Sequence, residues 1–142
     1  MLKGIPNILA PDLLKILMEM GHGDEIVIAD GNFPAASHAQ RLARCDGVGA
    51  PQLLDAVMLL FPLDTFVEYS AALMAVVPGD NYNPEIWPIY KQIVQRHEPR
   101  FRDFEMLDRQ AFYDRAKKAY AIVATSEMAR YANIVLKKGL VT

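Results

Sequence analysis

The chain has 142 residues, 52% of them hydrophobic, and a formal net charge of −2, which excludes intrinsic disorder and a basic surface for nucleic acid. No apolar run approaches the ~20 residues of a membrane span, so we expect neither a membrane nor a nucleic acid as a partner. The single cysteine, Cys45, excludes an intramolecular disulfide framework and fits a reducing, cytoplasmic location.

Apolar spacing predicts a helix over 11–20, and Pro11 suits its first position because a missing N–H costs nothing there. A consecutive apolar run then predicts a strand over 25–29 that is covered on both faces. The stretch 35–45 is predicted to hold a helical turn and a second strand, and the stretch 50–61 a strong helix.

The second half of the chain continues this alternation of helices and strands. Strands are predicted over 71–77, 104–107, 120–124 and 134–137, and helices over 84–97 and 109–119. We therefore predict a single three-layer α/β/α domain over residues 1–142, with a mixed, mainly parallel sheet. The apolar surplus of so small a domain indicates that part of its surface is buried against other subunits.

Several familiar motifs are missing from the sequence. It contains no glycine-rich dinucleotide loop, no phosphate-binding loop and no nucleophile elbow. The three histidines, His22, His38 and His97, are not at the spacing of metal ligands. Cys45 is outside any nucleophile motif and is interpreted as a small buried apolar side chain. We therefore predict no metal site and no cofactor.

A set of polar residues remains at the ends of the apolar elements. His22 stands between two glycines before the first strand, where an accessible imidazole could transfer protons near neutral pH. Asp30 follows that strand, at the end where open α/β sheets usually bind ligands. Each residue has a structural alternative: His22 as a solvated loop histidine, and Asp30 as the start of a turn.

Two further polar positions lie in the last third of the chain. Arg109 precedes a helix and could offer a donor fork to a polar ligand, or it could be a surface salt-bridge partner. Tyr131, Ala132 and Asn133 lie between the last two strands and could form a hydrogen-bonding rim. The alternative is a structural turn in which Asn133 takes a special backbone conformation.

Two segments are especially specific when taken together: Gly-His-Gly-Asp at 21–24 and Tyr-Ala-Asn-Ile at 131–134. With Phe-Tyr-Asp-Arg-Ala at 112–116 between them, the chain resembles the ribose pyranase / fucose mutarotase family, and more closely its fucose mutarotase branch. The similarity runs nearly end to end, although the middle, 64–102, matches poorly.

The resemblance implies a cofactor-independent isomerase that interconverts monosaccharide anomers by opening and closing the hemiacetal ring. It implies that His22 is the proton donor. The positions that would bind the sugar are Asp30, Arg109, Tyr131, Ala132 and Asn133. Ring opening moves only protons, so it requires neither a metal nor a redox cofactor. The resemblance also implies a homo-oligomer, often a decameric ring, with sites at its subunit boundaries.

Two other functions remain open at this point. One is a ribose-type pyranase, which exchanges pyranose and furanose forms, and the other is a non-catalytic sugar-binding oligomer. The segments at 112–119 and 136–139 favour the fucose branch, and the complete set of polar residues argues against a non-catalytic protein. Tyr120 is a lesser candidate, interpreted as a core or rim residue.

Overall fold

The computed structural model describes residues 1–142, in which five helices alternate with six strands. In chain order the elements are α1 Pro11–Glu19, β1 Glu25–Ala29, α2 Ala35–His38, β2 Leu42–Cys45, α3 Ala50–Met58, β3 Ala71–Met74, α4 Ile86–His97, β4 Glu105–Leu107, α5 Arg109–Lys118, β5 Ala121–Thr125 and β6 Ile134–Lys137. The helical turn and second strand that were predicted within 35–45 are α2 and β2.

All six strands form one sheet in the order β2-β5-β1-β6-β3-β4. β6 runs antiparallel to both of its neighbours, and the other pairs are parallel. The five parallel strands therefore all stop at one end of the sheet, the carboxyl end, and start at the other, the amino end. Because β6 runs the opposite way, the residues before it lie at the carboxyl end and those after it at the amino end.

Two layers of helices cover the sheet. α1, α3 and α4 contribute to a core of 30 buried residues on one face, and α2 and α5 to a core of 12 on the other. In β1, Ile26 and Ile28 belong to the larger core, whereas Val27 and Ala29 belong to the smaller one. This two-sided burial explains the consecutive apolar residues of the central strands and confirms the predicted three-layer α/β/α fold with its mixed, mainly parallel sheet.

Two element ends differ from the predicted ones by three residues. The helix expected to reach residue 61 ends at Met58, because the Leu60 N–H donates to the Val57 carbonyl at 3.0 Å and closes a tighter turn. The strand expected to reach residue 77 ends at Met74, because its neighbour β4 has only three residues and ends at Leu107. A strand cannot be extended where no partner backbone remains.

An ion cluster ties α5 to the amino end of the sheet. The Arg115 guanidinium binds Glu25 on β1 through Nε and Nη2, and its Nη1 lies 2.8 Å from Glu105 on β4. The Arg115 side chain is only 23% exposed. Hydrogen bonds to Glu25, together with Glu105, raise the pKa of Arg115 further above its ordinary value, so the cluster keeps its cation.

Replacing Arg115 with alanine is expected to lower the free energy of unfolding by about 2 kcal/mol, because two half-buried carboxylates would lose their shared cation. Urea denaturation at pH 7 measures the change. Lys15→Ala is the matched control, since its ion pair with Glu19 lies on the exposed face of α1 and is expected to contribute nothing measurable. Equal losses in the two variants would contradict the importance of the cluster.

Candidate active site

The turn between α1 and β1 presents His22 at the amino end of the sheet. The Gly21 N–H donates to the Asp24 carboxylate at 2.7 Å, and the Asp24 N–H donates back to the Gly21 carbonyl at 3.2 Å. Gly23 has a φ of 89°, a conformation that side chains disfavour, and its N–H donates to the Lys138 carbonyl. The glycines thus allow a fixed turn that leaves the His22 side chain 41% exposed.

His22 is paired with a buried carboxylate. Its Nε2 lies 3.0 Å from Asp64 Oδ1, and the Asp64 side chain is only 3% exposed. The Phe66 N–H donates to the same oxygen at 3.0 Å. Burial opposes ionisation of Asp64, but hydrogen bonds from Phe66 and His22 lower the pKa of Asp64 below its ordinary value. An ionised carboxylate only accepts, so His22 carries a proton on Nε2 and leaves Nδ1 free to exchange one.

The chain's last strand holds Asp64 in place. The Asp64 N–H donates to the Lys137 carbonyl at 3.0 Å, and the Gly139 N–H donates to the Pro62 carbonyl at 2.8 Å. A Cβ on Gly139 would overlap the Leu63 carbonyl oxygen. Only glycine therefore allows the two backbones to approach closely enough to place Asp64 beside the imidazole.

Gly139→Ala is expected to destabilise the fold by about 2 kcal/mol, because the added methyl must push the Leu63 backbone away. Thermal or urea unfolding measures the loss. Gly21→Ala is the control for stability: its Cβ would meet only the Asp24 carboxylate, at an ordinary 3.7 Å. If Gly139→Ala were as stable as the wild-type chain, the close approach would not be what fixes Asp64.

Asp30 lies at the opposite, carboxyl end of the sheet, directly after β1. Asp30 is only 8% exposed. Its N–H donates to Asn133 Oδ1 at 2.7 Å, and its own Oδ1 accepts from the Asn32 N–H at 3.0 Å. Burial raises the pKa of Asp30 despite hydrogen bonds from the Asn32 and Phe33 N–H groups. A carboxyl group whose pKa is shifted toward neutrality is better suited to accept and return a proton. Asp30 therefore both starts a turn and presents a buried carboxyl group.

The segment 131–133 forms a tight turn against Asp30. Tyr131, not Asn133 as the structural alternative supposed, has the unusual backbone, with a φ of 57°. Its carbonyl accepts from Trp87 Nε1 at 2.8 Å. Ala132 is fully buried, and its carbonyl accepts from the Tyr90 hydroxyl at 2.6 Å. The polar side chains of this turn are those of Tyr131 and Asn133.

Arg109 begins α5 at the same end of the sheet. Its guanidinium carbon lies 5.4 Å from the centroid of the Tyr113 ring, and the residue is exposed. It forms no ion pair within the chain, unlike the surface salt bridge that was its alternative. Tyr113 packs 5.2 Å from Phe33 and 5.4 Å from His38, ring centroid to ring centroid. A free cation thus stands over an aromatic cluster close to the turn that follows Asp30.

The chain brings together only part of the predicted site. Asp30, Asn133, Tyr131 and Arg109 all lie at the carboxyl end of the sheet, whereas His22 lies at the amino end. The five residues of β1 separate the two groups by about 16 Å, at ~3.3 Å for each residue of a strand. One copy of the chain therefore does not place His22 beside the carboxyl-end residues.

Open cavities lie at both ends of the sheet. One of about 300 Å³ at the carboxyl end is lined by Asp30, Phe33 and Thr125 among others, and one of about 280 Å³ at the amino end includes Asp64 and Phe101. These volumes are at the lower end of the range of ligand pockets. No three His, Cys, Asp or Glu side chains come together as a possible metal site, and none of the helices is long and apolar enough to cross a membrane.

Asp64 is the residue that the sequence reasoning missed. It lies in the poorly matching middle of the chain, and its contact with His22 joins positions 42 residues apart. Its one sequence signal is a carboxylate directly after the apolar Phe61-Pro62-Leu63 stretch. Tyr120, the lesser candidate, lies at the amino end, where its hydroxyl donates to Glu19 at 3.3 Å and Arg41 covers its ring at 3.8 Å.

These features define a class: a three-layer α/β/α protein with a mixed sheet, an imidazole–carboxylate pair at one end of the sheet and a cluster of polar side chains at the other. The model of the RbsD / FucU transport protein family matches residues 3–141, and the chain belongs to this family. The resemblance drawn from the sequence motifs is thereby confirmed.

Several proteins similar to this chain are fucose mutarotases. The chain is 50% identical to the fucose mutarotase of Homo sapiens over 145 residues, 98% of this chain and 94% of that protein. It is 46% identical to the L-fucose mutarotase of Actinobacillus pleuropneumoniae serotype 5b (strain L20) over 140 residues, 99% and 97% of the two chains. The solved structure of the Streptococcus pneumoniae fucose mutarotase in complex with L-fucose matches with a TM-score of 0.95 and 55% identity, over 99% of this chain and 100% of that one.

Proposed function

We propose that this chain is an isomerase, a mutarotase that interconverts the α and β anomers of L-fucose or a similar monosaccharide. The observation that carries the proposal is the His22–Asp64 pair, an imidazole with one nitrogen fixed by a carboxylate and the other free. The names of the similar proteins support the same reaction, and one of their structures contains L-fucose. We take the whole chain, residues 1–142, as one sugar mutarotase domain.

The reaction requires two proton transfers at the sugar. One group removes the proton of the anomeric hydroxyl while another protonates the ring oxygen, and the bond between C1 and that oxygen breaks to give an open-chain aldehyde. After rotation about the C1–C2 bond, the reverse transfers close the ring with the other configuration at C1. His22 Nδ1 would exchange one proton and the Asp30 carboxyl group the other, because both groups can change protonation state.

The carboxyl end of the sheet would hold the sugar. The Asn133 side chain accepts from the Asp30 N–H at 2.7 Å. The Tyr131 hydroxyl lies at the same end of the sheet, and Arg109 brings a guanidinium without a carboxylate partner. These are donors and acceptors for an uncharged, hydroxyl-rich ligand. Ala132 is fully buried and would contribute through its backbone rather than through its side chain.

Because His22 and Asp30 lie at opposite ends of the sheet, a site that contains both residues requires two copies of the chain. We propose a homo-oligomer in which the amino end of one copy meets the carboxyl end of the next, since such head-to-tail contacts close into rings. Phe66, 74% exposed beside His22, and Met128, 88% exposed near the carboxyl end, are apolar side chains that such a contact would cover. From the resemblance we propose a decameric ring, and from the single buried cysteine a cytoplasmic location.

Saturation-transfer NMR on a panel of sugars tests the proposed reaction. The protein is expected to accelerate exchange between the anomeric resonances of L-fucose more than the pyranose–furanose exchange of D-ribose. A larger acceleration of the D-ribose exchange than of the L-fucose exchange would favour the pyranase alternative. Sugar binding without accelerated exchange of any sugar would favour the non-catalytic alternative and contradict the proposal.

A further inference from the structure

One carboxylate at the carboxyl end of the sheet has no role in the proposed reaction. Asp80 lies in the loop between β3 and α4, and this loop reaches the turn that precedes β6. Asp80 Oδ2 accepts from the Tyr131 hydroxyl at 2.7 Å and from Arg130 Nη2 at 2.5 Å, and Asp80 Oδ1 accepts from the Tyr82 N–H at 3.0 Å. The Asp80 carboxylate thus links this loop to the turn through two side chains of the turn, Arg130 and Tyr131.

Tyr131 needs such support because of its backbone. A φ of 57° is a conformation that a residue with a side chain keeps only where its surroundings hold it. The Trp87 indole donates to its carbonyl, and the Tyr82 ring stacks on its ring with centroids 5.9 Å apart and planes 26° apart. At the hydroxyl itself, Asp80 accepts the hydrogen bond that Tyr131 donates.

The direction of that hydrogen bond limits what Tyr131 can offer a ligand. The hydrogen bond from Tyr131, with that from the Tyr82 N–H, lowers the pKa of Asp80, so the carboxylate is ionised and accepts only. A phenol hydroxyl can donate one hydrogen bond, and Tyr131 donates it to Asp80. The Val77 N–H approaches the Tyr131 oxygen at 3.4 Å and uses a further part of its acceptor capacity. What remains for a ligand is one acceptor position.

We propose that Asp80 is a positioning residue for the proposed mutarotase site, on which this inference rests: it fixes the Tyr131 hydroxyl as an acceptor aimed at a sugar hydroxyl. A sugar hydroxyl that donates a hydrogen bond can therefore pair with the Tyr131 oxygen, whereas a ligand group that only accepts cannot. The residue acts through Tyr131 and makes no contact with substrate itself. Its contribution therefore vanishes when the Tyr131 hydroxyl is removed.

A double-mutant cycle on the full chain isolates this contribution. Asp80→Ala and Tyr131→Phe are each expected to lower kcat/KM for L-fucose about tenfold, mainly through KM, and the double variant is expected to fall no further than Tyr131→Phe alone. Asp80→Asn is expected to keep most of the activity because its amide oxygen still accepts. Arg130→Gln is the matched control, since it removes the other side chain on Asp80 Oδ2 and is expected to change kcat/KM less than about twofold.

Additive losses in the double variant, or a loss in Arg130→Gln as large as that in Asp80→Ala, would show a general effect of the loop and overturn the proposal. A second readout does not depend on activity: the Cζ resonance of Tyr131 in 13C-tyrosine-labelled protein is expected to shift clearly more in Asp80→Ala than in Arg130→Gln, which removes a guanidinium whose carbon lies 5.5 Å from the Tyr131 ring centroid. If the wild-type chain accelerated no sugar, the proposed function would fail. The resonance would then decide the positioning role, and an unmoved Tyr131 signal in Asp80→Ala would overturn it.

Discussion

Two inactive variants, His22→Ala and Asp30→Ala, are expected to regain activity when their subunits are mixed within one oligomer. The proposed site takes His22 from one copy and Asp30 from the next, because the length of β1 separates the two residues within a copy. In a random equal mixture, about one quarter of the boundaries combine an intact amino end with an intact carboxyl end. Co-expression followed by L-fucose exchange measurements is therefore expected to give about a quarter of wild-type activity.

A second mixture serves as the control for this complementation. Asp30→Ala and Asn133→Ala both damage the carboxyl end of the sheet, where the Asp30 N–H meets the Asn133 side chain at 2.7 Å. Every boundary in that mixture carries one damaged carboxyl end, so no activity is expected to return. If the first mixture also stayed inactive, with mixed oligomers verified by mass spectrometry, the shared site would be contradicted.

His22→Ala alone is expected to reduce L-fucose exchange by about 10²–10⁴-fold, the usual contribution of a positioned acid–base group. Binding of the sugar is expected to persist, because the hydroxyl-binding residues lie at the other end of the sheet. Asp64→Asn is expected to cost about tenfold, since a neutral amide can still accept from Nε2 but no longer stabilises the positive charge that the imidazole gains when Nδ1 takes up a proton. Saturation-transfer NMR measures the exchange, and a titration of sugar resonances measures the binding.

The chain offers a matched control for this prediction. His97 also pairs with a carboxylate, Asp55, at 2.7 Å, but this pair joins α4 to α3 rather than facing an end of the sheet. His97→Ala is therefore expected to leave the exchange rate unchanged. A wild-type rate in His22→Ala, or an equal loss in both variants, would remove His22 from the proposed reaction.

The fold was largely predictable because the apolar pattern of short stretches of the sequence indicates which positions are buried. Positions 26–29 of β1 are apolar one after another because successive residues such as Val27 and Ile28 face different cores, and the sequence alone shows this pattern. The reversed direction of β6 was not predictable, because it depends on which strands become neighbours. That direction places Asn133 beside Asp30 and the segment after β6 beside Asp64.

The candidate site was predictable in its members but not in its arrangement. His22 and Asp30 were identified from their places at the ends of a strand, yet sequence order does not show that a second copy is needed to bring them together. Asp64 was not predicted because its contact with His22 depends on a backbone pairing of distant segments, Leu63 with Lys138. The positive φ of Tyr131 was not predicted because tertiary contacts hold it, rather than the conformational preference of tyrosine.

A structure of the assembled protein with bound L-fucose tests the shared site most directly. We expect a sugar at a boundary between copies, with His22 Nδ1 of one copy and the Asp30 carboxyl group of its neighbour both within hydrogen-bond distance of it. A sugar bound wholly by one copy, or a protein that stays monomeric while it exchanges L-fucose, would contradict the shared site.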